Sequence, residues 1–112
     1  MTPAEQAQLH ILKIVDAEPE ISQRQLAGRL GVSLGKINYL LKALLSKGHI
    51  KAGNFLRAEN KLKYAYLLTP EGIGAKLQLT RSYLARKEQE YLALKAEIEA
   101  IRAELGGEDR RS

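Results

Sequence analysis

The sequence contains no cysteine. That excludes a disulfide scaffold, a cysteine-ligated zinc or iron–sulfur site, a cysteine nucleophile and a thiol redox sensor. His10 and His49 are its only imidazoles, so no multi-histidine metal site and no cofactor are expected. Its longest apolar runs are a few residues, too short to span a bilayer, and no membrane partner is expected. Met1-Thr2-Pro3-Ala4-Glu5 lacks a basic region followed by an apolar core. No signal peptide is therefore expected, and the cytoplasm is the expected compartment. Proline is absent after Pro70, and glycine is absent from 75 to 105.

What is present fits a folded protein: 112 residues, 45% hydrophobic and 28% charged. The length allows one compact domain plus one extra element. The formal net charge of +5 is unevenly spread. Residues 1–21 carry one base against four acids, and residues 64–112 carry eight of each. Residues 22–63 carry nine bases against Glu59 alone. A polyanion partner is the simple reading of that block, and a solvated face is the bland one.

Thr2-Pro3-Ala4-Glu5 reads as a helix start with a capping box, followed by a broad apolar face over residues 4–17. Pro19 stops this helix. Ser22 caps a second helix with Gln25 three residues on and Ile21/Leu26 placed as a staple; Gly31 ends it. Ser33 caps a third over 34–47, with Ile37, Leu40, Leu41, Leu44 and Leu45 at helical spacing and Gly48 closing it. Residues 49–57 and 63–68 read as a hairpin around a polar turn, with a bulge or break near Gly53 and Phe55. Thr69-Pro70-Glu71 opens a last helix, with Leu68 and Ile73 as staple; it is expected to run from 70 to 105. Gly106-Gly107 is its expected stop, and 106–112 the expected disordered tail.

Two helices joined by a tight glycine turn make a helix-turn-helix, and a hairpin after it makes the winged form. The predicted fold is mainly α with a small β-wing: a winged helix-turn-helix domain over 1–69, then a long coiled-coil helix over 70–105. In such a unit the third helix enters the DNA major groove and the second crosses the backbone. With Ile37, Leu41 and Leu44 inward, the opposite face shows Ser33, Gly35, Lys36, Asn38, Tyr39 and Lys42. Asn38 suits adenine edges and Lys36 suits guanine O6 and N7. Gly35 costs a helix roughly 1 kcal/mol against alanine, which close approach to DNA would explain. Ser22, Gln23 and Arg24 sit where free helix amides hold a phosphate. Arg57, Asn60, Lys61 and Lys63 lie on or near the wing tip, within reach of the minor groove or backbone. Each has a plainer reading as cap, solubilising charge or wing packing. The coincidence of spacing, wing and local charge favours double-stranded DNA.

The last helix would be about 54 Å long, more than its own domain can cover. Ile73, Leu77, Thr80, Leu84, Lys87, Tyr91, Leu94, Ile98, Ile101 and Leu105 follow alternating steps of four and three, a heptad seam. Thr80 and Lys87 are its two polar exceptions. In a parallel pair Glu90 would meet Lys95 and Glu97 would meet Arg102, while Lys76 would face Arg81 unfavourably. A parallel homodimer through this helix is expected, and with it an inverted-repeat DNA site. The single folded-back helix is the alternative.

The segments Ile21-Ser22-Gln23-Arg24-Gln25-Leu26-Ala27, Leu30-Gly31-Val32-Ser33-Leu34-Gly35-Lys36-Ile37-Asn38-Tyr39 and Lys42-Ala43-Leu44-Leu45-Ser46-Lys47-Gly48 resemble MarR-type winged-helix repressors. Lys63-Tyr64-Ala65-Tyr66-Leu67-Leu68-Thr69-Pro70-Glu71-Gly72-Ile73 extends the likeness, which covers about 5–105. Within that superfamily the chain is most similar to the small EPS-associated regulators, named for exopolysaccharide synthesis. The resemblance implies a dimeric bacterial transcription regulator. Full-length MarR proteins use helices at both ends to dimerise and often bind a phenolic effector between domains. Here the N-terminus is short, and no small-molecule effector is expected.

Two other classes compete. No acid–base cluster with a histidine and no phosphate-binding glycine loop is visible, so an enzyme is not expected. A winged-helix protein-docking module within a larger assembly is the serious alternative. It predicts salt-insensitive, DNA-independent binding, which the basic block disfavours.

Overall fold

The computed structural model describes the backbone of residues 1–58 and 61–111, with side chains at 1–53 and 65–109. The element order is α1 (Pro3–Ala17), α2 (Gln23–Leu30), α3 (Leu34–Ser46), β1 (Ile50–Ala58), β2 (Lys61–Leu68) and α4 (Pro70–Arg111). This is a winged helix-turn-helix followed by a long helix.

The helix starts follow from their first residues. The Thr2 hydroxyl accepts from the Glu5 amide and the Glu5 carboxylate accepts from the Thr2 amide, each at 3.1 Å. Ser22 and Gln25 repeat this box at the start of α2. Ser33 accepts from the Lys36 amide at 3.1 Å to open α3. Each cap satisfies donors that a first helical turn otherwise leaves without partners. Gly31 ends α2 at φ 67°, ψ 34°, the left-handed region that glycine enters without a Cβ clash.

The core lies under these three helices. Leu9, Ile11, Leu12 and Val15 of α1, Leu26 and Ala27 of α2, and Ile37, Leu40, Leu41 and Leu44 of α3 are buried together with Ile21, Ile50 and Ala65. Each fully buried leucine or isoleucine contributes about 1.5–3 kcal/mol relative to exposure. Among the described residues no buried side chain is polar or charged.

The wing is one antiparallel pair, with Ile50 opposite Leu68 and Ala58 opposite Lys61. Its register shifts between Asn54 and Leu56, which leaves Phe55 as the extra residue expected from the sequence. The strands run closer to the tip than the expected 49–57 and 63–68, since β1 reaches Ala58 and β2 begins at Lys61. Tyr66 donates its amide to the Pro19 carbonyl at 3.2 Å, tying β2 to the α1–α2 connection.

The start of α4 is a tight junction. Thr69 donates its amide to the His49 carbonyl at 3.1 Å and its hydroxyl to the Gly48 carbonyl. That hydroxyl also accepts from the Gly72 amide at 3.0 Å, capping the helix. A Cβ on Gly72 would collide with the His49 carbonyl, so only glycine fits there. Leu79 packs on the core, and Lys76 pairs with Asp16 at 2.8 Å.

The expected stop at Gly106-Gly107 is corrected: α4 runs through both glycines to Arg111, into the stretch expected to be a disordered tail. Gly31 and Gly48 are the described glycines with positive φ, so neither 106 nor 107 makes the left-handed turn that ends a helix. Glycine weakens a helix interior by about 1 kcal/mol and stops it only where the chain turns. The chain separates into two compact units, Met1–Thr80 and Arg81–Ser112, the second consisting of the rest of α4.

Candidate nucleic-acid interface

The exposed side of α3 is the centre of the candidate site. At about 100° per residue, Ile37, Leu40, Leu41 and Leu44 fill one side of the helix. Gly35, Tyr39 and Lys42 lie along the middle of the other, with Lys36 on one flank and Asn38 on the opposite one. All but Asn38 are exposed; Asn38 is half-buried. Tyr39 is 70% exposed, so most of it is open to solvent. Leu34, 45% exposed at the helix start, lies on the Leu41 side of α3 rather than with Gly35, Tyr39 and Lys42.

Among the described residues nothing in the fold requires a glycine at position 35. A Cβ there would meet nothing nearer than the Ser33 hydroxyl at 4.0 Å. Gly72 contrasts with it, being required by the fold.

The start of α2 sits in the same unit. The capping box takes the amides of Ser22 and Gln25. Helix geometry gives the amides of Gln23 and Arg24 no intrahelical acceptor, so these are the donors left for an anion. The Gln23 side chain is engaged elsewhere. Its Nε2 donates to the Tyr66 hydroxyl at 3.1 Å, and its Oε1 accepts from Asn38 Nδ2 at 3.4 Å. The sequence placed Gln23 and Asn38 in separate roles, and the fold joins them. Tyr66 was missed, because pairing 43 positions away leaves no mark in local spacing.

Among the described residues, Arg24, Lys36 and Lys42 form no ion pair. Arg29 of the basic block does: it binds Glu18 across the α1–α2 connection. That hydrogen bond raises the guanidinium pKa and lowers that of the Glu18 carboxyl. Arg29 is thereby committed inside the domain. Lys47 reaches Gln8 at 3.4 Å. Asn60 lies outside the described residues, as do the side chains of Arg57, Lys61 and Lys63.

The predicted seam on α4 is bare. Ile73, Leu77, Leu84, Tyr91, Leu94, Ile98, Ile101 and Leu105 are each between 40% and 64% exposed. Thr80 turns its hydroxyl back to the Lys76 carbonyl at 2.7 Å. Lys87 lies 5.2 Å from the centre of the Tyr83 ring and pairs with Glu90 at 3.1 Å. Arg86 pairs with the same carboxylate at 3.2 Å. Glu90 is therefore engaged within its own helix, and Lys76 by Asp16, before any second chain is considered. Leu92, 56% exposed, is an apolar residue off the seam that the heptad pattern did not pick out.

No group of three or more potential metal ligands occurs among the described residues. No described helix is long and apolar enough to cross a membrane.

Residues 5–51, spanning most of α1, all of α2 and α3 and the start of β1, match the family described as winged helix-turn-helix DNA-binding. Comparison with curated proteins gives no significant match. Solved structures do match, in 32 chains. The chain is similar to the PcaV transcriptional regulator from Streptomyces coelicolor, determined with its natural ligand, at 26% identity and TM-score 0.59 over 83% of this chain and 62% of that one. It is similar to a MarR/EmrR family transcriptional regulator from Acinetobacter sp. ADP1 at 20% identity and TM-score 0.62, over 80% and 59% respectively. It is also similar to FabT from Streptococcus pneumoniae, determined in complex with DNA, at 24% identity and TM-score 0.55, over 73% and 56%. The chain thus spans less than two thirds of the length of each of these three. Its fold is that of the MarR-type regulators.

Proposed function

We propose that this chain, a winged helix-turn-helix of MarR type, is a sequence-specific double-stranded DNA-binding transcription regulator acting as a homodimer. The carrying observation is the face of α3. It presents Gly35, Lys36, Tyr39 and Lys42 to solvent, on a domain whose charge excess lies in residues 22–63. A glycine with open space around it is better explained by an external surface pressed close than by the fold. Lys36 and Asn38 are the base readers in this proposal. Ser33 and Tyr39 line the same groove, and Lys42 with Ser22, Gln23 and Arg24 holds phosphates. Arg57, Asn60, Lys61 and Lys63 extend the grip from the wing.

The dimer is proposed through α4. A helix of 42 residues is about 63 Å long. Every described side chain from 84 to 109 is exposed, including five apolar or aromatic ones that the heptad places on one stripe with Leu84. Burying that stripe against a second copy is what gives such a helix a stable partner. Two copies related by a two-fold axis favour an inverted repeat with half-sites about one helical turn apart. The resemblance to small EPS-associated regulators makes exopolysaccharide genes the proposed targets.

The experiment is selection of bound sequences from a random duplex pool at about 150 mM salt, where counterion release has weakened non-specific contacts. An enriched inverted repeat supports the proposal and gives the half-site spacing. Absence of enrichment from folded protein overturns it in favour of a docking role. Within an enriched site, Asn38→Ala is expected to cost about 1–3 kcal/mol there and little on random DNA.

A further inference from the structure

A second copy can fill the seam of α4 in either direction. From Ile73 to Leu105 the seam steps by four and three alternately, and the steps read the same from both ends, with Gln89 at the centre. A parallel pair and an antiparallel pair crossing at Gln89 therefore both occupy every seam position. They differ in what meets what. In a parallel pair each seam residue faces itself. In an antiparallel pair it faces the residue equally far on the other side of Gln89.

The two polar seam residues, Thr80 and Lys87, both precede Gln89, and every seam position after it is apolar or aromatic. Thr80 has already given its hydroxyl proton to the Lys76 carbonyl at 2.7 Å, which leaves its methyl group for the seam. Lys87 is thus the residue whose neighbour depends most on direction. Facing itself, it sets two ammonium groups across one layer. Facing Tyr91, it sets its ammonium against an aromatic ring. Such contact is favourable for a lysine, and within its own helix the Lys87 ammonium already lies 5.2 Å from the centre of the Tyr83 ring.

The flanking charges do not outweigh this. The parallel expectation rested on Glu90 meeting Lys95 and Glu97 meeting Arg102. Glu90 is instead drawn by Arg86 and Lys87 of its own chain, at 3.2 and 3.1 Å. An antiparallel pair brings Glu104 beside the partner's Lys76 and Glu97 beside the partner's Tyr83, against Arg81 beside the partner's Lys95 and Glu88 beside the partner's Glu88. Favourable and unfavourable flanks nearly cancel in both directions, and exposed pairs are weak. We infer that α4 pairs antiparallel with a second copy, about a two-fold axis near Gln89 that sets Lys87 on the partner's Tyr91. This rests on the homodimer reading above. The starts of the two α4 helices then lie at opposite ends of the seam, and the length of α4 enters the separation of the two reading helices.

The chain has no cysteine, so introduced thiols can be labelled cleanly. Gln89→Cys and Ala103→Cys are both exposed and off the seam. Each is given a nitroxide label, and the distance between the two copies is measured by pulsed electron paramagnetic resonance on the full chain. In the antiparallel pair position 89 lies level with itself, while position 103 lies level with the partner's Ala75. The labels at 103 are then about 42 Å apart along the axis, and their distance should far exceed that at 89. Equal distances at the two positions overturn the antiparallel pair. On oxidation, Leu84→Cys combined with Leu94→Cys should cross-link two chains and neither substitution alone should do so. A single variant that cross-links as well as the double one overturns the proposal too. A chain that sediments as a monomer and shows no distance between copies overturns the homodimer reading itself, a result distinct from a dimer with equal distances.

Discussion

A methyl group added at Gly72 would run into the His49 carbonyl, whereas one added at Gly35 would enter open space. The two glycines therefore predict opposite results. Gly72→Ala should destabilise the protein by about 1–3 kcal/mol, because a backbone carbonyl in a hydrogen-bonded junction gives way poorly. Thermal denaturation measures this. Gly35→Ala should leave stability equal or raise it by about 0.5 kcal/mol, since alanine favours the helix and restricts the unfolded chain. The same variant should bind DNA more weakly in a titration of the selected duplex. Unchanged binding would remove the close approach of α3. On the wing, Lys61→Ala should lower the slope of log affinity against log salt by about one if that lysine meets a phosphate.

Among the elements, α4 is held in two different ways along its length. Its start is fixed by Thr69, Gly72, Leu79 and the Lys76–Asp16 pair. Near its middle, where the seam turns polar, Glu90 draws both Lys87 and Arg86. The Lys87 hydrogen bond is the main cause holding the Glu90 carboxyl below its ordinary value of 4.5. A carboxyl depressed in the folded state adds stability above its unfolded value. That contribution is lost as pH falls through the folded value. Acidification below about pH 5 should therefore loosen the helix around Lys87, and Glu90→Gln should flatten that part of the profile of helicity against pH. The effect should be small, since these groups are solvent-exposed and screened by salt.

At the scale of the whole molecule, the proposal couples two recognition helices through one seam. Leu84→Glu combined with Ile98→Glu puts charges on the stripe that a second copy would cover, and should give monomers in sedimentation equilibrium. Persistence of a dimer would move the interface elsewhere. If the dimer supplies bivalent binding, the monomeric variant should lose about 100-fold or more on an inverted repeat while binding a single half-site almost normally. Melting of residues 1–80 should change little, because the mutated positions lie in the other compact unit.

The sequence by itself determined the elements whose causes are local. Thr2, Ser22 and Ser33 cap because a hydroxyl there reaches an amide three residues on, and Gly31 turns because it lacks a Cβ. The inward face of α3 was legible because burial repeats with the helical period. The bulge at Phe55 showed as an off-phase residue in an alternating strand. Only the tertiary structure decided what depends on residues far apart in the chain. The end of α4 was misjudged because glycine is read as a stop, although it stops a helix only where the backbone turns left-handed. Arg29 counted toward the basic block until the fold set Glu18 against it. Gly72 looked like one more residue of a helix start until His49 was found above it. The Asn38–Gln23–Tyr66 chain has no local periodicity at all, because its members meet only when β2 folds back against α1 and the α1–α2 connection. Local physics writes itself into neighbouring residues; a contact between distant ones exists only after the core has brought them together.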